Sequence, residues 1–274
     1  MKRFILSFFL QIVTLCLSAQ SFLSFGARGG LEFLRPKSDQ TIRSELGSTG
    51  IFDLGYTYYC TTSSGDWGIC TGISVGYVMN KCQFELMQQF TNYYDNEDTE
   101  VNYTVTGDVN TRLHRVFGEV PLMAAYHRKG FVLKFGLKGQ YAFWSSTTQM
   151  FNNLCIDAYF VPENVSIPPN TIIGTMKSKV GDVPLVSILA AISFGNEIEV
   201  KNSGRIGIIA YLDCSIWNTA TRNTTTPLIS ISSSSKTGVA DVSINNAFLT
   251  VITRINPIQV GLSLYYAIEL KSKH

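Results

Sequence analysis

The segment FVLKFGLKGQYAF, residues 131–143, alternates between apolar side chains and polar or small ones at almost every step. One face carries Phe131, Leu133, Phe135, Leu137, Gly139, Tyr141 and Phe143, and the other carries Val132, Lys134, Gly136, Lys138, Gln140 and Ala142. A period of two indicates a β-strand, because successive side chains of a strand point to opposite faces. Residues 205–216 and 258–270 alternate in the same way. Each segment is long enough to cross a bilayer at a tilt, which takes about 9–11 residues.

Weaker alternation predicts five further strands, which makes eight. These five lie near 23–34, 50–60, 66–80, 113–127 and 184–199. The connections are long at 35–49, 81–112, 145–183 and 218–256, and short at 61–65, 128–130 and 200–204. Short periplasmic turns and long extracellular loops are typical of outer-membrane barrels. We therefore predict an all-β fold, namely an eight-stranded antiparallel up-and-down transmembrane β-barrel. Phe84, Tyr93 and similar residues indicate that the strands around 81–112 extend beyond the membrane.

The N-terminal segment has the layout of a secretory signal peptide. Lys2 and Arg3 precede an apolar run from Phe4 to Leu17, and Ala19 supplies a small residue at a cleavage site. We predict a signal peptide at 1–19 and a barrel domain at 20–274. A membrane anchor is the alternative, although the run is shorter than the roughly 20 residues of a comfortable helical span. A membrane chain without a second helical span must otherwise be a closed barrel.

Composition and charge argue against several function classes. Charged residues make up 15% of the chain, below the roughly 25% of a soluble domain. Without Lys2 and Arg3, the 22 basic residues become 20, which balance 20 acidic residues. We therefore expect no nucleic-acid partner.

The cysteines and histidines show no metal-binding spacing, so we predict neither a metal nor a cofactor. Five cysteines remain after the predicted cleavage. Cys60 and Cys70 flank a turn, but the alternation places Cys60 outward and Cys70 inward. Side chains on opposite faces cannot be bridged, so we expect no disulfide between them.

The two faces of the predicted strands differ in a way that indicates which one meets lipid. A soluble eight-stranded barrel, such as a lipocalin, also alternates, but with its apolar face inward. Here the polar face is rich in small residues that suit a cramped interior, among them Gly26, Gly30, Gly72, Ser74, Ser193 and Gly207. The apolar face carries no Lys, Arg, Asp or Glu in the three strands described first. One Lys or Arg there would cost about 2–4 kcal/mol at the bilayer midplane. We therefore expect this face to contact outer-membrane lipid.

All three tryptophans lie at predicted strand ends. Trp67 opens its strand, and Trp144 and Trp217 close theirs. Aromatic residues at strand ends form the interfacial girdles of membrane barrels. The alternative is the general abundance of aromatic residues in strands.

The inward face carries charges of both signs that nearly cancel. The predicted lumen network consists of Arg28, Glu32, Asp53, Arg115, Glu119, Lys134, Lys138, Glu197, Arg205 and Asp213. Across the short turns, Glu197 should face Arg205, and Glu119 should lie near Lys138. Buried charges persist only when they are paired, so we predict a filled lumen and no wide channel. Alternatively, Arg205 and Glu269 lie at the barrel mouths in water.

Pro121 interrupts the pattern because it has no N–H to donate to a neighbouring strand. We predict a β-bulge near Glu119-Val120-Pro121.

Catalysis is not expected. A barrel that deacylates lipid would need a histidine beside a serine and an acid. His114, near the extracellular end of its predicted strand, is the candidate, but no serine motif accompanies it.

Two stretches resemble small outer-membrane β-barrel proteins of the Bacteroidota type. The stretch Phe52-Asp53-Leu54-Gly55-Tyr56-Thr57-Tyr58-Tyr59, followed by Asp66-Trp67-Gly68 and Thr71-Gly72, is similar to their second hairpin, and Glu119-Val120-Pro121-Leu122-Met123 is similar to their sequence before a short turn. The Ser18-Ala19-Gln20 region is typical of their cleavage sites. The resemblance covers roughly residues 1–270. It implies a barrel related in architecture to OmpA-like and PorT-like proteins, and it brings no catalytic residues.

Together these features predict a non-enzymatic outer-membrane barrel with a role in surface interaction or envelope structure, whose long loops contact an extracellular ligand or protein. A small channel or an accessory of transport or secretion is one alternative. A lipid-modifying enzyme of the outer membrane is another.

Overall fold

The computed structural model describes residues 19–38, 42–94, 100–161, 165–178, 185–200, 204–218, 229–233, 240–244 and 252–270. Within these ranges, no helix is long and apolar enough to cross a membrane. The predicted signal peptide lies outside the described residues except for Ala19, which begins the first strand.

The described residues form eleven strands. They are β1 (Ala19–Ser38), β2 (Ile42–Thr62), β3 (Gly65–Tyr94), β4 (Glu100–Arg128), β5 (Phe131–Phe160), β6 (Val165–Ser178), β7 (Leu185–Val200), β8 (Gly204–Asn218), β9 (Ile229–Ser233), β10 (Ala240–Ile244) and β11 (Ile252–Leu270).

Eight of these strands close into a ring. Consecutive neighbours in the order β1-β2-β3-β4-β5-β7-β8-β11 pair antiparallel, and β11 pairs back with β1. The predicted eight-stranded up-and-down antiparallel barrel is therefore confirmed. The strand β6 lies outside the ring and pairs with β5 from Thr147 to Phe160. The strands β9 and β10 form a separate hairpin.

The strands are longer than the alternation predicted, which corrects most of the predicted long loops. The strands β3, β4 and β5 contain 30, 29 and 30 residues, so the predicted extension around 81–112 is confirmed. Residues 145–160, by contrast, continue β5, and most of 35–49 belongs to β1 and β2. Residues 145–178 and 229–244 also contribute β6, β9 and β10. Alternation is weak here because these segments lie beyond the apolar outer surface that includes Phe52, Leu122 and Leu262, which we call the belt, and a strand beyond the belt is not required to be apolar on its outer face.

The other end of the barrel has tight connections, as predicted. Ser63 and Ser64 form the β2–β3 turn, and Lys129 and Gly130 form the β4–β5 turn. Lys129 and Gly130 have φ angles of 49° and 83°. Two successive positive φ angles are characteristic of a type I′ turn, whose twist matches the flanking strands.

The faces of the strands have the predicted orientation. Large apolar side chains are exposed on the outside, with Phe52 77%, Leu122 65% and Leu262 63% exposed. Charged side chains face inward, where Glu32 and Arg115 are buried. Cys70 is buried in the interior, while Cys60 has the opposite orientation.

The prediction of a β-bulge at Pro121 is wrong. Thr71 pairs with Leu122 and Ser74 with Glu119, so two residues separate these pairs on each strand and the β3–β4 register does not shift. The pairs between them are missing from the ladder. The absent N–H of Pro121 therefore interrupts pairing without inserting a residue.

Bulges occur instead near two tryptophans. The register shifts after Val116 in β4–β5 and after Ile188 in β7–β8. As a result, two successive side chains point outward on each bulged strand, namely Phe143 with Trp144 and Ile216 with Trp217. Trp144 does not close its strand as predicted, because β5 continues to Phe160.

The seam between β1 and β11 supplies a stability test. Gly30 pairs with Gly261, and a Cβ added at Gly30 would lie 2.7 Å from Tyr211 Oη and 2.8 Å from Gly261 Cα. We expect Gly30→Ala to lower the stability by about 1–3 kcal/mol through overpacking. It should therefore lower the temperature at which the unboiled protein loses compact migration on SDS gels.

The matched control is Gly29→Ala, because a Cβ at Gly29 meets nothing within 4 Å. Equal midpoints for the two variants would contradict the packing at this seam.

Candidate functional site: the charged lumen

The middle of the lumen is built around Arg28 of β1. Its Nε lies 2.9 Å from Asp53 Oδ2, and its Nη2 lies 3.0 Å from Asp53 Oδ1. The same Nη2 donates to Glu119 Oε2 at 2.5 Å, and Nη1 lies 3.4 Å from Asp213 Oδ2. One guanidinium group therefore joins carboxylates from β2, β4 and β8.

Lys138 and Gln140 of β5 complete this middle layer. Lys138 Nζ lies 2.6 Å from Asp213 Oδ2, and Gln140 Nε2 donates to Glu119 Oε1 at 3.0 Å. The predicted pair of Glu119 and Lys138 is not formed. In the β4–β5 register Glu119 lies opposite Gln140, and Lys138 reaches past β7 to Asp213 on β8 instead.

An outer layer lies on the side of the long strands. Arg115 of β4 forms a salt bridge with Glu32 of β1, and both side chains are buried. Gln259 Nε2 donates to Glu32 Oε2 at 2.6 Å, and Arg115 Nη2 donates to Asn80 Oδ1 at 3.3 Å. The layer thus spans the interior from β11 through β1 to β3 and β4.

An inner layer lies near the tight turns. Arg205 Nη1 is 3.5 Å from Glu197 Oε2, the pairing expected across the short turn. Arg205 is buried, so it does not stand open in water at the mouth. Tyr265 Oη donates to Glu197, and His127 Nε2 lies 3.6 Å from Glu197 Oε2.

His127 also faces the lumen, although it lies next to a predicted turn and is absent from the predicted lumen network. Its inward position is nevertheless encoded, since it continues the phase of the buried residues Met123 and Ala125. Its Nδ1 lies 3.4 Å from Asp66 Oδ2, so it joins β3 to β4 at this end.

Apolar side chains pack around the inner layer and narrow this end of the lumen. The buried cluster contains Phe22, Tyr59, Cys70, Met123, Ala125, Ala191, Ile209, Tyr265 and Ala267. Phe22 and Tyr59 meet edge to face at 6.0 Å between ring centroids. The Arg205 guanidinium carbon lies 4.2 Å from the Phe22 ring centroid.

A cavity of about 90 Å³ lies between this cluster and the middle layer. Arg28, Asp53, Lys134 and Lys138 line it, together with small residues such as Ser263. Most of its lining is apolar, but the charged groups at its edge can hold several water molecules in a space of this size, which is too small for a lipid or a large solute. Lys134 Nζ lies 4.7 Å from the Tyr265 ring centroid, and among the described side chains it forms no ion pair.

The ten predicted lumen residues therefore lie in three layers, with Lys134 beside the cavity. Five are basic and five acidic, so their formal charges cancel. Such an arrangement can brace the wall and obstruct the interior. Among the described residues, no group of three or more His, Cys, Asp or Glu side chains is placed to hold a metal ion.

The three tryptophans mark the two rims of the outer face. Trp67 is 46% exposed at the tight-turn end, where its ring centroid lies 4.8 Å from that of Tyr126. Trp144 and Trp217 are 46% and 48% exposed near the opposite end of the belt.

His114 lies on the outer face at the rim of the long strands. Tyr77 Oη and His114 Nδ1 are 2.6 Å apart. Ser146 is the register partner of His114 on β5. No sequence motif predicted that these two residues lie close together. Among the described side chains, no carboxylate bonds to His114.

The role of Arg28 can be tested by removal. We expect Arg28→Met to destabilise the barrel by about 3–5 kcal/mol, because it leaves buried carboxylates without their shared partner. Urea unfolding in lipid vesicles, followed by tryptophan fluorescence, measures the loss.

The triple variant Arg28→Met, Asp53→Asn, Glu119→Gln should recover part of this loss, since it removes charge of both signs. Arg128→Met deletes an exposed charge on β4 and serves as the control. An Arg28→Met barrel as stable as that control would refute the bracing role.

Comparisons with known proteins give the chain no family. No protein-family model and no curated protein matches the sequence. Among solved structures, the chain is similar to the outer membrane protease OmpT from Escherichia coli, with 11% identity and a TM-score of 0.30. The match covers 92% of this chain and 96% of that chain. A likeness this distant transfers no activity.

Proposed function

We propose that this chain is a non-enzymatic integral β-barrel of a Gram-negative outer membrane, with an obstructed lumen and a structured part outside the cell. The belt on its outer face carries the proposal. On β3, the outward side chains between Trp67 and Tyr77 are Ile69, Thr71, Ile73 and Val75. These ten residue steps span about 33 Å along the strand, or about 25 Å at a tilt near 40°, the height of the apolar band of membrane barrels.

The distribution of burial supports lipid rather than water around this belt. A water-soluble barrel keeps its large apolar side chains inside and its charges outside. Here Phe52, Leu122 and Leu262 are exposed, while Glu32, Glu119 and Asp213 are at most 2% exposed. A continuous apolar outer surface of this extent is stable only when something apolar covers it.

The extended strands support a role at the cell surface. The strand β3 continues 17 residues past Tyr77 to Tyr94, and β4 and β5 accompany it. Val101, Val105 and Val109 in this part of β4 are fully buried. The projecting sheet therefore has buried apolar side chains of its own. We infer that it presents an ordered surface to a ligand or a protein outside the cell.

The geometry around His114 favours a non-enzymatic role over a lipid-modifying one. A serine hydrolase needs an acid to orient the histidine that activates its nucleophile. In the described part of the chain, Tyr77 rather than a carboxylate contacts His114 Nδ1. The proposal also includes kinship with small Bacteroidota barrels, which rests on residues 52–59 and 119–123.

Epitope accessibility tests the placement and the orientation together. We expect an epitope inserted within residues 95–99, which connect β3 and β4, to bind antibody on intact cells. The same epitope inserted between Lys129 and Gly130 should bind only after the outer membrane is permeabilised. The reverse pattern would contradict the orientation, and secretion of either protein into the medium would contradict the membrane placement.

Conductance separates this proposal from the alternative of a small channel. We expect no steady high-conductance pore when the purified barrel is inserted into planar bilayers, because three layers of side chains cross the lumen. A sustained open level of the wild-type protein would show that the lumen conducts.

A further inference from the structure

Basic side chains lie together on the outer face of β3 and β4, beyond the belt. Lys81 and Arg112 are direct register partners on these strands, and opposed residues of an antiparallel pair have Cα atoms about 4.5–5.5 Å apart. The Lys81 side chain is 44% exposed, and Arg112 is also exposed. His114 lies on the same face of β4, two residues after Arg112, and pairs with Met79. We name Lys81, Arg112 and His114 the rim cluster.

The rim cluster lies at the height of lipid headgroups. Tyr77, which bonds to His114, ends the apolar stretch of β3. Lys81 is four residues further on, about 13 Å along the strand and about 10 Å above the edge of the belt at a tilt near 40°. The polar zone of a bilayer extends about 5–8 Å outside its hydrocarbon core, and the long side chains of Lys81 and Arg112 can reach down to it.

The charges within two residues of the cluster leave it basic, and the acidic pair Glu85 and Asp108 lies four residues farther from the belt. Glu45 on β2 places Oε2 3.6 Å from Lys81 Nζ and offsets one of the two fixed positive charges. Arg43, exposed on the same strand, adds another positive charge nearby. On β5 the neighbours are uncharged, since Thr148 pairs with Arg112 and Ser146 with His114.

We propose that the rim cluster binds the phosphate headgroup of an outer-leaflet lipid, whose acyl chains lie against the apolar outer face of β3 and β4. The inference rests on the membrane placement proposed above. Phosphate suits this cluster because an arginine guanidinium accepts it through two parallel hydrogen bonds, and a lysine adds a point charge. The apolar side chains directly below, including Val75 and Val120, are exposed and available for the acyl chains.

Native mass spectrometry of the folded barrel in neutral detergent tests the site, with diphosphorylated lipid A as the probe. We expect Lys81→Gln with Arg112→Gln to weaken binding at least tenfold, since each basic residue near an anionic lipid contributes roughly fivefold. Glu45→Gln should strengthen binding several-fold, because it removes the competing carboxylate. Arg128→Gln removes one positive charge from the other end of β4 and should leave the affinity unchanged.

Two further probes identify what is recognised. Lipid A without phosphate should bind the wild type and the double variant equally. Inorganic phosphate in large excess should not displace lipid A, because it lacks the acyl chains. Equal binding of diphosphorylated lipid A by the wild type and the double variant would overturn the proposal, and so would full displacement by free phosphate. Release of an acyl chain from the bound lipid would replace it with a hydrolytic site at His114 and Ser146.

Compact migration of each unboiled variant on SDS gels keeps the two proposals separable. A wild type that never folds as a heat-modifiable barrel in detergent would defeat the membrane placement itself. A folded barrel that does not discriminate the phosphate would defeat the rim cluster alone.

Discussion

The interior of a closed eight-stranded ring has a nearly fixed volume, and every second residue of every strand must fit into it. Because a bare charge is costly in that space, each inward carboxylate needs a cation within reach. Arg28 meets this need for three strands at once, with Asp53, Glu119 and Asp213 around one guanidinium group. The ion pairs that fill the lumen therefore also link the strands that form the wall.

The same limit on volume explains how small and large residues are arranged. The Tyr211 ring packs over the facing pair Gly30 and Gly261, and the Phe117 ring packs against Gly76. Tyr211 also lies beneath Arg28, whose guanidinium carbon is 5.3 Å from the ring centroid. Glycines on one strand thus leave room for aromatic rings from another strand, and the Tyr211 ring in turn contacts the guanidinium group of Arg28.

The features that depend on alternation along one strand could be predicted from the sequence, whereas contacts between strands that are not adjacent could not. The inward phase of Arg28 and the contact of Glu197 with Arg205 follow from local pattern and a short turn. The contact of Lys138 with Asp213 joins β5 to β8, which are not neighbours in the ring. Nothing in the spacing of these two residues encodes that meeting.

The bulges explain why the alternation of β5 could be followed to Phe143 and no further. Up to Phe143, odd-numbered residues of this strand face outward; beyond Trp144, Ser145, Thr147 and Gln149 are the buried ones. The extra residue of the bulge exchanges the inward and outward positions of the strand. A regular alternation can therefore be followed only as far as the bulge. That exchange also brings Ser146 and Thr148 to the outer face beside His114 and Arg112. The rim cluster thus has neutral neighbours on β5 because of a bulge that lies at the edge of the belt.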